Sequence, residues 1–228
     1  QIEKLTSFHL EIVPGKLDSG TERKQTKSFA HQSVLRNGKW VKIKIQETGV
    51  YQLTYNQLIE MGIEDPAKLK IYGNSEGMLP LSNNEECQDD LQLNAIYFEK
   101  GNDGVFNQDD YILFYAKGPN QWSYSETDDF YSCIKHIYAD FNYFFLTSND
   151  EPNKEVTTLN SSSQPASNII NTFTDYIHYE KEQENLIESG QVWFGETFDV
   201  NTTYSFDFEF PDLVKTEPIK IKTSLAAR

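Results

Sequence analysis

Trp40-Val41-Lys42-Ile43-Lys44-Ile45-Gln46-Glu47-Thr48-Gly49-Val50-Tyr51-Gln52-Leu53 is the stretch on which the reading of the fold turns. Apolar and polar side chains alternate through Trp40 to Ile45, the period-two pattern of a strand with one face buried and one in water. Glu47-Thr48-Gly49 then turns the chain into a second strand, Val50 to Leu53, and this spacing predicts a hairpin. Immediately after it, Thr54 can cap a helix. Gln57, three residues on, completes a capping box; Leu58, Ile59 and Met61 supply apolar positions, and Gly62 ends the helix after about two turns.

Working outward, Lys4 to Ile12 alternates as a strand, and a polar tether without periodicity follows it, so that residues 1–32 form an N-terminal strand and tether. Arg36-Asn37-Gly38 is a turn. Downstream, Leu69 to Tyr72, Asp90 to Lys100, Tyr111 to Ala116, Tyr131 to Tyr138 and Phe141 to Thr147 read as short strands separated by Gly, Asn and Asp. Residues 33–148 are therefore expected to form one β-rich domain, a sandwich or barrel-like fold with one short helix. Residues 149–168, with Pro152 and Pro165 among Asn, Ser and Glu, read as a linker. In residues 169–228, Phe173 to Tyr179 is strand-like, Glu180 to Ser189 helical, Thr202 to Phe210 strongly alternating and Pro218 to Leu225 strand-like again. That makes an incomplete second β-sandwich unit, and the chain is expected to be a piece of something longer.

Composition agrees with a mainly β protein. Aromatic residues make up 14% of the chain, with 13 Tyr and 15 Phe against 2 Met, a bias toward side chains that suit pleated surfaces. The 35 acidic residues outnumber the 20 basic ones, giving a formal charge of −15, which repels nucleic-acid backbones. No run reaches the ~18 apolar residues of a membrane span, and the first residues do not show a charged n-region followed by an apolar h-region.

Chemistry-bearing residues are sparse, and neither a catalytic group nor a cofactor is expected. Cys133 and His136 suggest a thiol and imidazole pair, but residues three apart on a strand point to opposite faces, so they should not meet. Cys87 lies among carboxylates that disfavour its thiolate. Cys87 and Cys133 could pair in an oxidising compartment, which two cysteines alone do not decide. His9, His31, His136 and His178 have no metal-ligand spacing. Asn102 to Asp110 is rich in side-chain oxygens but lacks the register of a calcium loop, so a plain turn is the stronger reading. Trp122 and Tyr124, beside the turn at Pro119-Asn120, could offer a contact for a partner protein or for sugar rings, as in a carbohydrate-binding module; packing on the sheet is the blander alternative.

Several segments together resemble the N-terminal region of the PorU-type sortases of the type IX secretion system, gingipain-like cysteine peptidases of Bacteroidetes. The resemblance runs through Leu5 to Ile12, Ser33 to Ile43, Glu47 to Tyr55, Lys70 to Gly73, Asp110 to Ala116, Tyr143 to Thr147, Trp193 to Glu196 and Ser224 to Arg228, in that order. It implies an extracytoplasmic location, at the outer-membrane surface or in the periplasm. It implies a parent enzyme that cleaves C-terminal sorting signals from secreted cargo. The family's catalytic Cys/His domain follows the region seen here, so no catalytic residue carries over to this chain. Its implied partners are that peptidase domain and other outer-membrane secretion components.

Overall fold

The computed structural model describes residues 29–227 apart from 75–77, 81, 83, 162, 164, 166–167, 187, 189 and 191. The predicted N-terminal strand and most of its tether lie outside the described residues. Among those described, the strands in chain order are β1 (Val41–Ile45), β2 (Gly49–Thr54), β3 (Leu69–Gly73), β4 (Gln92–Leu93), β5 (Ile96–Glu99), β6 (Tyr111–Ala116), β7 (Gln121–Ser125), β8 (Phe130–Ile134) and β9 (Asn142–Ser148). Helix α1 (Tyr55–Glu60) follows β2 directly. Among the described residues the protein is mainly β with one short α-helix, as its sequence pattern predicts.

The expected β1–β2 hairpin does not form. β1 pairs antiparallel with β9, Ile43 opposite Phe144, while β2 pairs antiparallel with β6, Tyr51 opposite Phe114. Gln46-Glu47-Thr48 is thus a corner at which the chain leaves one sheet and enters the other. Alternation fixes which face of each strand is apolar but not which strand lies beside it, and a three-residue connection serves a corner as well as a hairpin. Contacts hold the corner in place: the Tyr51 hydroxyl donates to the Glu47 carbonyl at 2.7 Å, and the Gly118 amide donates to Thr48 Oγ1 at 3.0 Å. Gly118 is needed here because a β-carbon would come 2.6 Å from the Gln46 carbonyl oxygen.

One sheet has the order β1-β9-β3-β4 and the other β2-β6-β5. Ile45, Ile71, Phe144 and Leu146 from the first pack with Ile96, Ile112, Phe114 and Ala116 from the second, all of them buried. The Phe114 and Phe144 rings lie 6.2 Å apart. Full burial of side chains of this kind is worth about 1.5 to 3 kcal/mol each. Helix α1 closes one end of the core with Leu58, which has 0% exposure. Its predicted capping box is present: the Gln57 amide donates to Thr54 Oγ1 at 3.2 Å, and the Thr54 amide donates to Gln57 Oε1 at 2.9 Å. Gly62 ends it at φ +89°, a left-handed conformation that suits glycine.

Where the chain leaves β9 it stays attached for several residues. The Asn149 carbonyl accepts from the buried Lys70 ammonium at 3.4 Å, and Lys68 pairs with Asp150 at 2.7 Å. Further on, the Ile96 amide donates to Lys154 and the Val156 amide to Ile96, which lays residues 154–156 along the outer edge of β5. The first part of the segment read as a linker therefore protects an otherwise open sheet edge. Among the described residues beyond 168, strand-type backbone pairing is confined to one antiparallel bridge between Glu184 and Phe194. The helix predicted over Glu180 to Ser189 is absent from its described residues, since Glu184 is engaged in that bridge.

Gly73 lies opposite Phe144, and a β-carbon on it would overlap the Phe144 ring. Gly73→Ala should therefore lower stability by about 1 to 3 kcal/mol, read from the midpoint of urea unfolding. An unchanged midpoint would mean that the ring has room to move.

Candidate functional site

Trp122 and Tyr124 both lie on β7, two residues apart and hence on one face of the β7–β8 ribbon. Their cross-strand partners are Cys133 and Tyr131. Pairing across the ribbon thus collects Trp122, Tyr124, Tyr131 and Cys133 on one side. The Tyr124 and Tyr131 rings are 4.9 Å apart.

Residues from much later in the chain cover this face. Tyr176 lies 4.4 Å from the Trp122 ring and stacks on Tyr131 at 4.3 Å with 23° between the planes. His178 meets Trp122 edge-on at 6.1 Å and its Nε2 is 2.8 Å from Glu180 Oε2. Glu182 pairs with Lys135, just beyond β8, at 3.1 Å. The even-numbered residues from Tyr176 to Glu182 therefore address the ribbon. Tyr179 and Lys181 address other segments: Tyr179 packs on Phe206 at 4.9 Å and donates to Glu196, and Lys181 pairs with Glu196 at 2.8 Å. Side chains of the 176–182 segment are thus shared between two neighbours.

The turn of the ribbon is held from a third place. Asp129, in the left-handed region at φ +49°, accepts from the Tyr124 hydroxyl at 2.8 Å and pairs with Lys220. The hydrogen bond from Lys220, followed by that from Tyr124, holds the Asp129 carboxyl below its ordinary range. The carboxylate favours this arrangement, which weakens as pH falls through the depressed value and the group is protonated. At the surface Lys222 lies 5.9 Å from the Phe130 ring centre.

The pairing of Cys133 with His136 is not what the structure assembles. His136 lies past the end of β8, and its Nδ1 accepts from the amides of Tyr138 and Ala139 at 3.1 and 3.0 Å. Burial, reinforced by the charge of Glu180, pushes the Cys133 thiol above its usual range. Such a thiol is a poor nucleophile. Cys87 and Cys133 are both free. The Asn102 to Asp110 loop is a set of tight turns in which the Asp103 and Asp110 carboxylates accept from the amides of Val105 and Asn107. Among the described residues no group of three or more His, Cys, Asp or Glu is placed to hold a metal, and no helix is long and apolar enough to cross a membrane.

Of the aromatic cluster, Trp122 and Tyr124 are the part that stands out in the sequence. Tyr131, Tyr176 and His178 were missed as its partners. The alternation of Tyr176, His178, Glu180 and Glu182 was the available signal, obscured by reading Glu180 onward as a helix.

No protein-family model matches the chain, and no curated protein matches it. Among solved structures the chain is similar to dimeric latent PorU from Porphyromonas gingivalis, with 32% identity and a TM-score of 0.38. The likeness covers 50% of this chain and 10% of that one, so the chain spans about a tenth of the length of the structure it matches.

Two measurements check the ribbon. Tyr176→Ala removes two ring contacts and should lower the local opening free energy of β7 and β8 by about 1 to 3 kcal/mol in amide hydrogen exchange, with β3 and β9 unchanged. Iodoacetamide should modify Cys133 more slowly than the exposed Cys87 at about pH 8, and Glu180→Gln, by removing a negative charge, should speed Cys133 up. Equal rates at the two cysteines would contradict the suppressed thiolate.

Proposed function

We propose that this chain is the non-catalytic N-terminal region of a surface cysteine peptidase, a sortase that processes the C-terminal signals of type IX secretion cargo, and that it serves docking or regulation of that peptidase. The observation that carries this reading is the order of the blocks resembling the PorU-type family. Val41–Ile45, Gly49–Thr54, Leu69–Gly73, Tyr111–Ala116 and Asn142–Ser148, the strands from which most of the core is built, all overlap such blocks. On this reading the catalytic cysteine and histidine belong to a peptidase domain outside this sequence, and the suppressed thiol of Cys133 is structural. The partners are that domain and outer-membrane secretion components, and the location is the outer-membrane surface or the periplasm.

A second reading, a carbohydrate-binding module, is favoured by the partial exposure of Trp122 at 38% and Tyr124 at 48%. It is the weaker one, because Tyr176 already stacks across the neighbouring rings. Quenching of Trp fluorescence by a glycan, lost in Trp122→Ala, would support it.

The test compares the isolated chain with its parent gene. The isolated chain should show no thiol-dependent cleavage of cargo peptides, and cells whose parent gene lacks this region should accumulate cargo that retains its C-terminal signal. Turnover by the chain alone that vanishes in Cys133→Ala would overturn the proposal, as would normal cargo processing without the region.

A further inference from the structure

We infer that the free edge of β1, with the lysine-bearing outer face beside it, docks an extended acidic segment of a partner protein. β1 stands at the end of its sheet, with β9 on one side and no strand on the other among the described residues. Such an edge presents unpaired backbone donors and acceptors that an incoming strand can use.

The charge on this edge is opposite to that of the molecule. In a chain of net charge −15, the outward residues of β1 are Lys42 and Lys44, and neither forms an ion pair among the described residues. Each is held over aromatic rings instead. The Lys42 ammonium lies 3.7 Å from the centre of the Tyr143 ring, and that of Lys44 lies 4.9 Å from Phe141. Lysines on an edge strand also discourage unwanted pairing, but a cation parked over a ring is already ordered and loses less freedom when a carboxylate arrives.

The same geometry selects the class of partner. Because the ammonium groups cover ring faces on this side of the sheet, those faces are not bare platforms for sugar stacking. An added strand would place alternate side chains about 4.5 to 5.5 Å from Lys42 and Lys44, where Glu or Asp fits. Its remaining side chains would fall beside the half-buried Val41 and Ile43, where apolar groups fit. Near the start of the strand a groove of about 850 Å³, lined by Arg36, Trp40, Val41 and Tyr72, runs from β1 toward β3, on the side away from the free edge. The acidic residues lining this groove are Glu64, which is paired with Lys39, and Glu151. The inference stands on the edge and its charge, independently of the peptidase reading.

The experiment titrates the chain with a short synthetic peptide in which Glu alternates with Val, read by calorimetry and by amide hydrogen exchange. Binding is expected, with slowed exchange at Val41–Ile45 and weakening as salt is raised. The Lys42→Gln/Lys44→Gln double variant should bind about tenfold more weakly. A peptide with Lys in place of Glu, and one with N-methylated backbone amides, should not bind. No binding, protection mapped away from β1, or full binding by the N-methylated peptide would overturn the inference. So would stronger binding of an acidic polysaccharide such as polygalacturonate.

Discussion

The sheet switch at Gln46-Glu47-Thr48 is the constraint on which the rest of the sandwich depends. Two neighbouring strands that alternation makes look like a hairpin are sent to different sheets, so each must find a partner far along the chain: β9 for β1 and β6 for β2. β9 also pairs with β3, which sets Phe144 over Gly73, and the Phe144 ring meets Phe114 of β6, joining the two sheets into one core. The corner is reinforced by the Gly118 amide, so a residue just past β6 holds the turn before β2. Pairings of such long sequence separation imply slower folding than a hairpin-led fold of the same size.

Much of this was legible from the sequence because it rests on local rules. The strands that carry the core follow from alternation, and α1 follows from Thr54, Gln57 and Gly62, where side-chain and backbone groups a few residues apart satisfy one another. What was not legible is long-range. Strand neighbours are chosen by the packing of whole faces, so Val41 to Leu53 reads equally well as hairpin or corner. Polar residues 149–156 carry no apolar rhythm, yet Lys70, Lys68 and Ile96 hold them through backbone carbonyls and charge, which periodicity does not register. At the aromatic ribbon, Trp122 and Tyr124 were visible as residues. The alternation of Tyr176 and His178 marks them as one face of an extended segment, but not that this face covers Trp122 and Tyr131.

The distribution of charge links the fold to its proposed role. Around the ribbon, three basic side chains are matched with carboxylates, Lys135 with Glu182, Lys181 with Glu196 and Lys220 with Asp129, while Lys222 lies over the Phe130 ring. These pairs are partly or largely exposed, so each contributes little to stability; two of them, Lys135 with Glu182 and Lys220 with Asp129, join a late segment to the ribbon or its turn. On the edge of the other sheet, Lys42 and Lys44 are matched with rings rather than carboxylates. A surface whose cations lack acidic partners in a strongly acidic chain is suited to an acidic ligand. That agrees with the docking role proposed above.

The sheet switch is tested most directly by nuclear Overhauser contacts between backbone protons across strands. The account predicts contacts of Ile43 with Phe144 and of Tyr51 with Phe114, and none linking Val41–Ile45 to Gly49–Thr54 as a ladder. A continuous antiparallel ladder between those two segments would contradict it, and with it the two-sheet core.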